Sequence, residues 1–183
     1  MQTIQTNEFP APAQSCVVAA GCFDGVHRGH RHLLETAHKI AADEGLAFTV
    51  LTFHPHPAAV LRGEDAPLLL SRADKARVME ALGTDVYVEY PFTRDFANWP
   101  PERFVTDVLK RLHCRVLVVG EDFRFGKNGA GDVSVAQILG GAHGIAVHVV
   151  PPLCENGEKV SSTRIRQLLA AGGTDAAARL LRG

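Results

Sequence analysis

Several things are scarce in this sequence, and each scarcity removes a class of protein. No uninterrupted apolar stretch is long enough to cross a bilayer. The opening residues Met1–Gln14 are polar, carry prolines and lack an apolar centre, so they read as a loosely held arm and not as a signal peptide. The four cysteines, Cys16, Cys22, Cys114 and Cys154, form no C-x-x-C pair and have no zinc-like spacing. Cys16 and Cys114 border apolar runs, where a reduced thiol behaves as a small hydrophobe. The formal net charge of −1 gives no general attraction to nucleic acid, so an anionic ligand must be held by local groups. There is no internal repeat, low-complexity tract or interdomain linker. With 46% hydrophobic and 21% charged residues over 183 positions, one globular domain spanning 1–183 is expected, in the reducing cytoplasm.

What is present is organised around Gly21-Cys22-Phe23-Asp24-Gly25-Val26-His27-Arg28-Gly29-His30. The apolar run Cys16–Ala20 predicts a buried strand ending at Gly21. A helical pattern starting near Gly29 places Leu33, Leu34, Ala37, Ile40 and Ala41 on one face. The stretch between is a strand-to-helix turn, and a helix start offers unpaired N–H groups and partial positive charge to a phosphate. His27 and His30, three residues apart, share a face if the turn runs straight into the helix. Four residues of the H-x-G-H type recur by chance, as surface polar residues; the preceding strand and G-x-F-D-G favour a nucleotide site.

Further strands are expected at Leu46–Phe53, Asp85–Tyr90, Arg115–Gly120 and Ile145–Val150. Helices are expected from Ser71 to about Leu82, from Pro101 with Phe104, Val105, Val108, Leu109 and Leu112 inward, and from Asp132 through Ala142. Two short helices, Ser161–Ala171 and Thr174–Leu181, close the chain. The prolines of His54-Pro55-His56-Pro57 forbid helix and central strand there. Strands alternating with helices predict a doubly wound parallel α/β sheet with right-handed crossovers. Its ligands bind outside the carboxyl ends of the strands, where the chemically unusual loops fall.

Three of those loops stand out. Val160-Ser161-Ser162-Thr163-Arg164-Ile165-Arg166 offers hydroxyls, free N–H groups and two arginines: a rich helix cap, a triphosphate grip, or both. The polar Glu155–Lys159 before it reads as a flexible approach. Gly120-Glu121-Asp122-Phe123-Arg124-Phe125-Gly126, if extended, sends Phe123 and Phe125 to one side, ahead of a mobile loop at Lys127–Gly131. An ionised Asp122 can only accept hydrogen bonds. Thr52-Phe53-His54-Pro55-His56-Pro57 invites a metal through its two histidines, but lacks supporting ligands; a proline-braced wall for a planar ligand is favoured.

Taken together, these stretches resemble the FMN adenylyltransferase module of bacterial bifunctional riboflavin kinase/FAD synthetases, within the nucleotidyltransferase superfamily. Gly21–His30 is similar to the H-x-G-H signature, Ser161–Arg166 to S-S-T-x-I-R, Gly120–Gly126 to G-E-[ND]-F-x-F-G and Thr52–Pro57 to T-F-x-P-H-P. Pro91–Phe96 is similar to P-F-T-R-x-F. The resemblance implies a Rossmann-like nucleotidyltransferase fold and the reaction ATP + FMN → FAD + pyrophosphate, with Mg²⁺ held by phosphate oxygens and water and no protein metal ligand. It implies His27, His30 and Arg166 as catalytic, and Gly21, Phe23, Asp24, Gly25, Gly29, Ser161, Ser162 and Thr163 as ATP-binding. Phe53, His56, Asp122, Phe123 and Phe125 would line the flavin side. No G-x-P-T-A-N-type kinase motif is present, so a riboflavin kinase domain would be a partner outside this stretch. Neither nucleic acid nor membrane is implied. The alternatives are a nucleotidyltransferase for another phosphorylated acceptor or for CTP, and a non-catalytic flavin- or nucleotide-binding module.

Overall fold

The computed structural model describes residues 1–6, 14–63 and 67–182. Six strands form one sheet: β1 (Gln2–Ile4), β2 (Cys16–Ala20), β3 (Ala47–His54), β4 (Val86–Pro91), β5 (Cys114–Gly120) and β6 (Ala146–Val150). Their spatial order is β1-β4-β3-β2-β5-β6, and every pairing is parallel. The expected doubly wound α/β sheet is therefore present. One strand was not foreseen. Gln2–Ile4, inside the expected loose arm, pairs with Val86–Val88 at the sheet edge; residues 7–13 of that arm lie outside the described residues.

The unbroken apolar runs follow from burial on both faces. Val17 and Ala19 point into a core with Leu34 and Ala37 of α1 (Arg28–Glu44) and Met79 of α3 (Arg72–Ala81). Val18 and Ala20 point the other way, into a core shared with Phe104, Val105, Val108 and Leu109. Those four residues come from α5 (Pro101–Phe104) and the π-helical turn that continues it, Val105–Leu109. In that turn Lys110 N–H reaches Val105 O at 2.9 Å, five residues back.

Short elements fill the loops. Pro57 occupies the first turn of α2 (Pro57–Arg62), so the prolines end β3 and then open a helix at its one tolerant position. Helix α4 (Arg94–Ala97) is capped by Thr93, and Asp132 caps α6 (Val133–Ala142) through Val135 N–H at 2.9 Å. The approach expected to be flexible is a hairpin, β7 (Cys154–Glu155) with β8 (Glu158–Lys159), turned by Asn156 and Gly157 at φ +57° and +78°. Helices α7 (Ser162–Ala170) and α8 (Thr174–Leu181) follow.

This topology positions a site. From the central β2 the chain runs outward through β3 to β4, then returns to β5 and continues to β6 on the other side. The carboxyl ends of β2 and β5, at Gly21 and Gly120, flank the crevice where the winding reverses, which is where doubly wound sheets bind ligands.

Candidate active site

The turn after β2 is held in an unfavourable shape. Phe23 and Val26 adopt φ of +48° and +37°, a region costly for any side chain and most of all for a β-branched one. Such residues cost about 1–3 kcal/mol each and persist only where the surroundings over-determine them. The surroundings here do so. Phe23 and Val26 are both buried in the core. The Cys22 carbonyl accepts from Thr52 Oγ1 at 3.0 Å and from Lys75 Nζ at 3.4 Å. Asp24, also buried, accepts Leu69 N–H on Oδ1 at 3.0 Å and pairs through Oδ2 with Arg166. Its carbonyl accepts from Ser162 Oγ at 2.9 Å. Four separate parts of the chain thus converge on two residues of the turn.

His27 is the cap of α1, its Nδ1 accepting from His30 N–H at 3.2 Å. That bond fixes the neutral tautomer, with the proton on Nε2. The two imidazoles stack, centroids 3.6 Å apart and planes 16° from parallel. Burial lowers the pKa of His27 to about 4, only partly opposed by Asp24. His30 is pushed well below its usual range by burial, and further by His27, Lys75 and Lys159. Both rings are therefore neutral hydrogen-bond donors at physiological pH. His30 Nδ1 is buried with no hydrogen-bond partner among the described residues.

Two cavities open on His30, and the smaller opens on His27 as well. The larger, about 800 Å³, is aromatic. Phe53, Phe92 and Phe96 form one side in mutual contact, with ring centroids 5.5–5.9 Å apart. Phe123 and Phe125 form another, stacked at 5.3 Å and 21°; Phe23, Phe104 and Trp99 also line the cavity. The smaller, about 270 Å³, is bordered by His27, Gly29, Lys159 and Ser161–Thr163. His30, Leu33, Gly120 and Asp122 line both cavities, so His30 stands at their common boundary.

Most expected site residues meet here, with four exceptions. Arg166 borders neither cavity: it is paired with Asp24 and donates to Pro67 O at 3.3 Å. Asp24 likewise borders neither, and acts by tying the turn to α7. His56 is absent from the aromatic lining; its Nδ1 caps α2 through Ala58 N–H at 3.2 Å, and Pro57 and Leu61 of that helix reach the cavity instead. Gly25, with φ +81°, also faces neither cavity but lets the turn pass: a Cβ there would lie 3.0 Å from that of Leu69. The loop at Lys127–Gly131, read as mobile, is tied down by Lys127 N–H to Trp99 O at 2.7 Å.

Two cations were overlooked in the sequence. Lys159 borders the smaller cavity and pairs with Asp122 Oδ2 at 2.5 Å, whereas Arg164 is spent on the hairpin, on Glu158 Oε2 at 2.7 Å and two carbonyls at 3.2 Å. A lysine two residues before a hydroxyl-rich helix start is the signal that could have found it. Lys75, half-buried and with its pKa lowered chiefly by that burial, had no local signal.

No group of three or more His, Cys, Asp or Glu among the described residues is arranged to hold a metal ion. No helix among them is long and apolar enough to cross a membrane.

A six-stranded parallel sheet with a strained turn at its switch point, a second hydroxyl-rich helix start beside it and paired neutral histidines between makes this a doubly wound α/β protein with its candidate site at the carboxyl ends of the strands. The likeness extends over 99% of the chain, at a TM-score of 0.87 and 28% identity, to 60% of a Streptococcus pneumoniae crystal structure described as a macrolide-efflux protein. The chain belongs to the FAD synthetase family, whose model matches residues 9–164. It is 37% identical over 166 residues to the Escherichia coli K12 bifunctional riboflavin kinase/FMN adenylyltransferase, covering 90% of this chain and 53% of that protein. It is 36% identical to a Listeria monocytogenes FAD synthetase, covering 92% and 69%. The chain thus spans about half the length of the bifunctional relatives it matches.

Proposed function

We propose that this chain transfers AMP from ATP to FMN, releasing FAD and pyrophosphate. The observation that carries this reading is the place of His30, on the boundary between an aromatic cavity sized for a flat ring system and a cleft faced by two helix starts. A flavin ring in the first cavity directs its phosphate toward the boundary; a triphosphate in the second brings its α-phosphorus to the same place.

An FMN phosphate oxygen attacks the α-phosphorus in line, and the bond to the β-bridging oxygen breaks as pyrophosphate leaves. No covalent enzyme intermediate is needed. Catalysis is positioning plus stabilisation of charge on phosphoryl oxygens. His27, through Nε2–H, and His30 donate there as neutral imidazoles. Gly29, Ser161, Ser162 and Thr163 contribute N–H and hydroxyl donors, and Lys159 contributes the positive charge. Arg166 holds Asp24 and so the turn, until release toward the leaving pyrophosphate. Phe53, Phe123 and Phe125 bracket the isoalloxazine ring. Mg²⁺ would neutralise triphosphate charge, held by phosphate oxygens and water.

All four cysteines are free thiols, in keeping with a reducing cytoplasm. FMN would come from a riboflavin kinase, which in the bifunctional relatives' names is joined to the adenylyltransferase. The test is chromatographic detection of FAD after incubating the chain with ATP, Mg²⁺ and FMN. FAD should form, while riboflavin in place of FMN should give neither FMN nor FAD. Absence of FAD from the FMN reaction refutes the proposal.

A further inference from the structure

The loop after β5 contains a contact that the chemistry itself does not require. Phe125 and Gly131 form an isolated antiparallel bridge, with N–H···O distances of 3.0 and 2.9 Å in the two directions. The Phe125 ring lies across the Cα of Gly131. A Cβ at that position would sit 2.6, 2.7 and 2.8 Å from three ring carbons, closer than real Cβ contacts come. Gly131 does not have a positive φ, so its backbone would accept any residue; only the ring forbids a side chain there.

The ring has little room to retreat. Phe125 is buried, with Phe104 at 5.3 Å on one side and Phe123 stacked at 5.3 Å on the other. The backbone beneath is pinned by the bond from Lys127 N–H to Trp99 O. Gly126, at φ +72°, lies so close to Pro101 that even a Cβ would be 2.9 Å from its ring. A ring displaced from Gly131 must therefore move into the aromatic cavity, carrying Phe123 with it.

We infer that Gly131 sets the width of the acceptor slot by fixing the Phe123–Phe125 pair, and is thus a specificity-determining position for the acceptor's ring system. This rests on the reading of the larger cavity as the flavin site. A merely structural role exists for such a pair, since an aromatic ring across a glycine stabilises a strand bridge. That role alone would change thermal stability and leave ligand selectivity untouched.

The test is Gly131→Ala, with calorimetric titration of FMN and of a non-hydrolysable ATP analogue, and steady-state kinetics. Overpacking of this kind should weaken FMN binding and raise its KM by about tenfold. Analogue binding should be unchanged and kcat at saturating FMN should stay within about twofold. In a Phe125→Leu background, which relieves the collision and serves equally if Gly131→Ala alone does not fold, alanine at 131 should cost no further FMN affinity. FMN binding by Gly131→Ala within twofold of the parent overturns the inference, as does a persisting cost in the Phe125→Leu background. Failure of the parent chain to bind FMN at all would instead refute the flavin assignment beneath it.

Discussion

The aromatic cavity continues the protein's core outward, whereas the smaller cleft is made of the ends of secondary-structure elements. Tyr90, Phe96, Phe104 and Phe125 belong to the same packed cluster as the sheet interior, and the cavity is what remains where that cluster meets solvent. Its walls are set by packing, so it is preformed. The cleft is bounded by two helix starts and a hairpin, held in place by Arg28–Glu155, Arg164–Glu158 and Lys159–Asp122. Those pairs neutralise charges for which the proposed triphosphate would compete. On the proposed reading, one half of the site would select by shape and the other by exchange of ionic partners, so the two should break separately.

The largest effect is expected at the boundary. Loss of one preorganised donor to a developing oxyanion costs about 10²–10³ in kcat, so His30→Ala should lose turnover by that factor with its FMN dissociation constant little changed. A near-parental kcat removes His30 from the chemistry. Next comes acid sensitivity, which belongs to the cleft. His27 titrates near 4 in the folded chain, against about 6.5 when unfolded. Between those values the unfolded chain binds the extra proton, so stability is complete above pH 6.5 and is lost as pH falls toward 4, by about 3 kcal/mol for the whole shift. Urea unfolding at pH 7 and pH 4.5 should show this loss, and His27→Gln should reduce it. An unaltered loss in that variant assigns the effect elsewhere.

Shape selection should fail by a smaller factor. Phe123→Ala removes one stacked ring and is expected to weaken FMN about tenfold while sparing the ATP analogue; equal loss for both ligands would join the halves that are here distinguished. The mildest expectation concerns Lys159→Met. Analogue affinity should fall about fivefold at low salt, and the difference should narrow as salt rises. A salt-independent loss would mean that the lysine acts by packing rather than charge.

The two halves also differed in how far the chain's order of residues discloses them. Phe53, Phe123 and Phe125 lie in short local patterns, and the strand that carries Phe53 and the strand that ends just before Phe123 are apolar runs of recognisable length. The turn from Gly21 to His30 was equally plain, because glycines and histidines fall at fixed offsets between a strand and a helix. What stayed hidden depends on partners far along the chain. Arg166 meets Asp24 across 142 positions, and in isolation it looks like a free cation. His56 points away from the ring cavity because Pro57 starts a helix and makes that histidine its cap. Gln2–Ile4 is too short to show a period, and its partner Val86–Val88 comes much later. The hairpin was missed for a different reason: Asn156-Gly157 is a strong turn signal, but its flanks are polar and two residues long.

The position of β2 bears on how the chain is made. It is the central strand, yet β3 follows after one helix while β5, its other neighbour, begins only at residue 114. At synthesis rates of about 5–20 residues per second, a ribosome needs on the order of ten seconds to bring β5 out after β2. During that interval Val17, Val18 and Ala19 present an open edge that the finished sheet never shows. Slower translation between residues 20 and 114 should lengthen the exposure and raise the demand for chaperones, while acceleration there should improve the soluble yield.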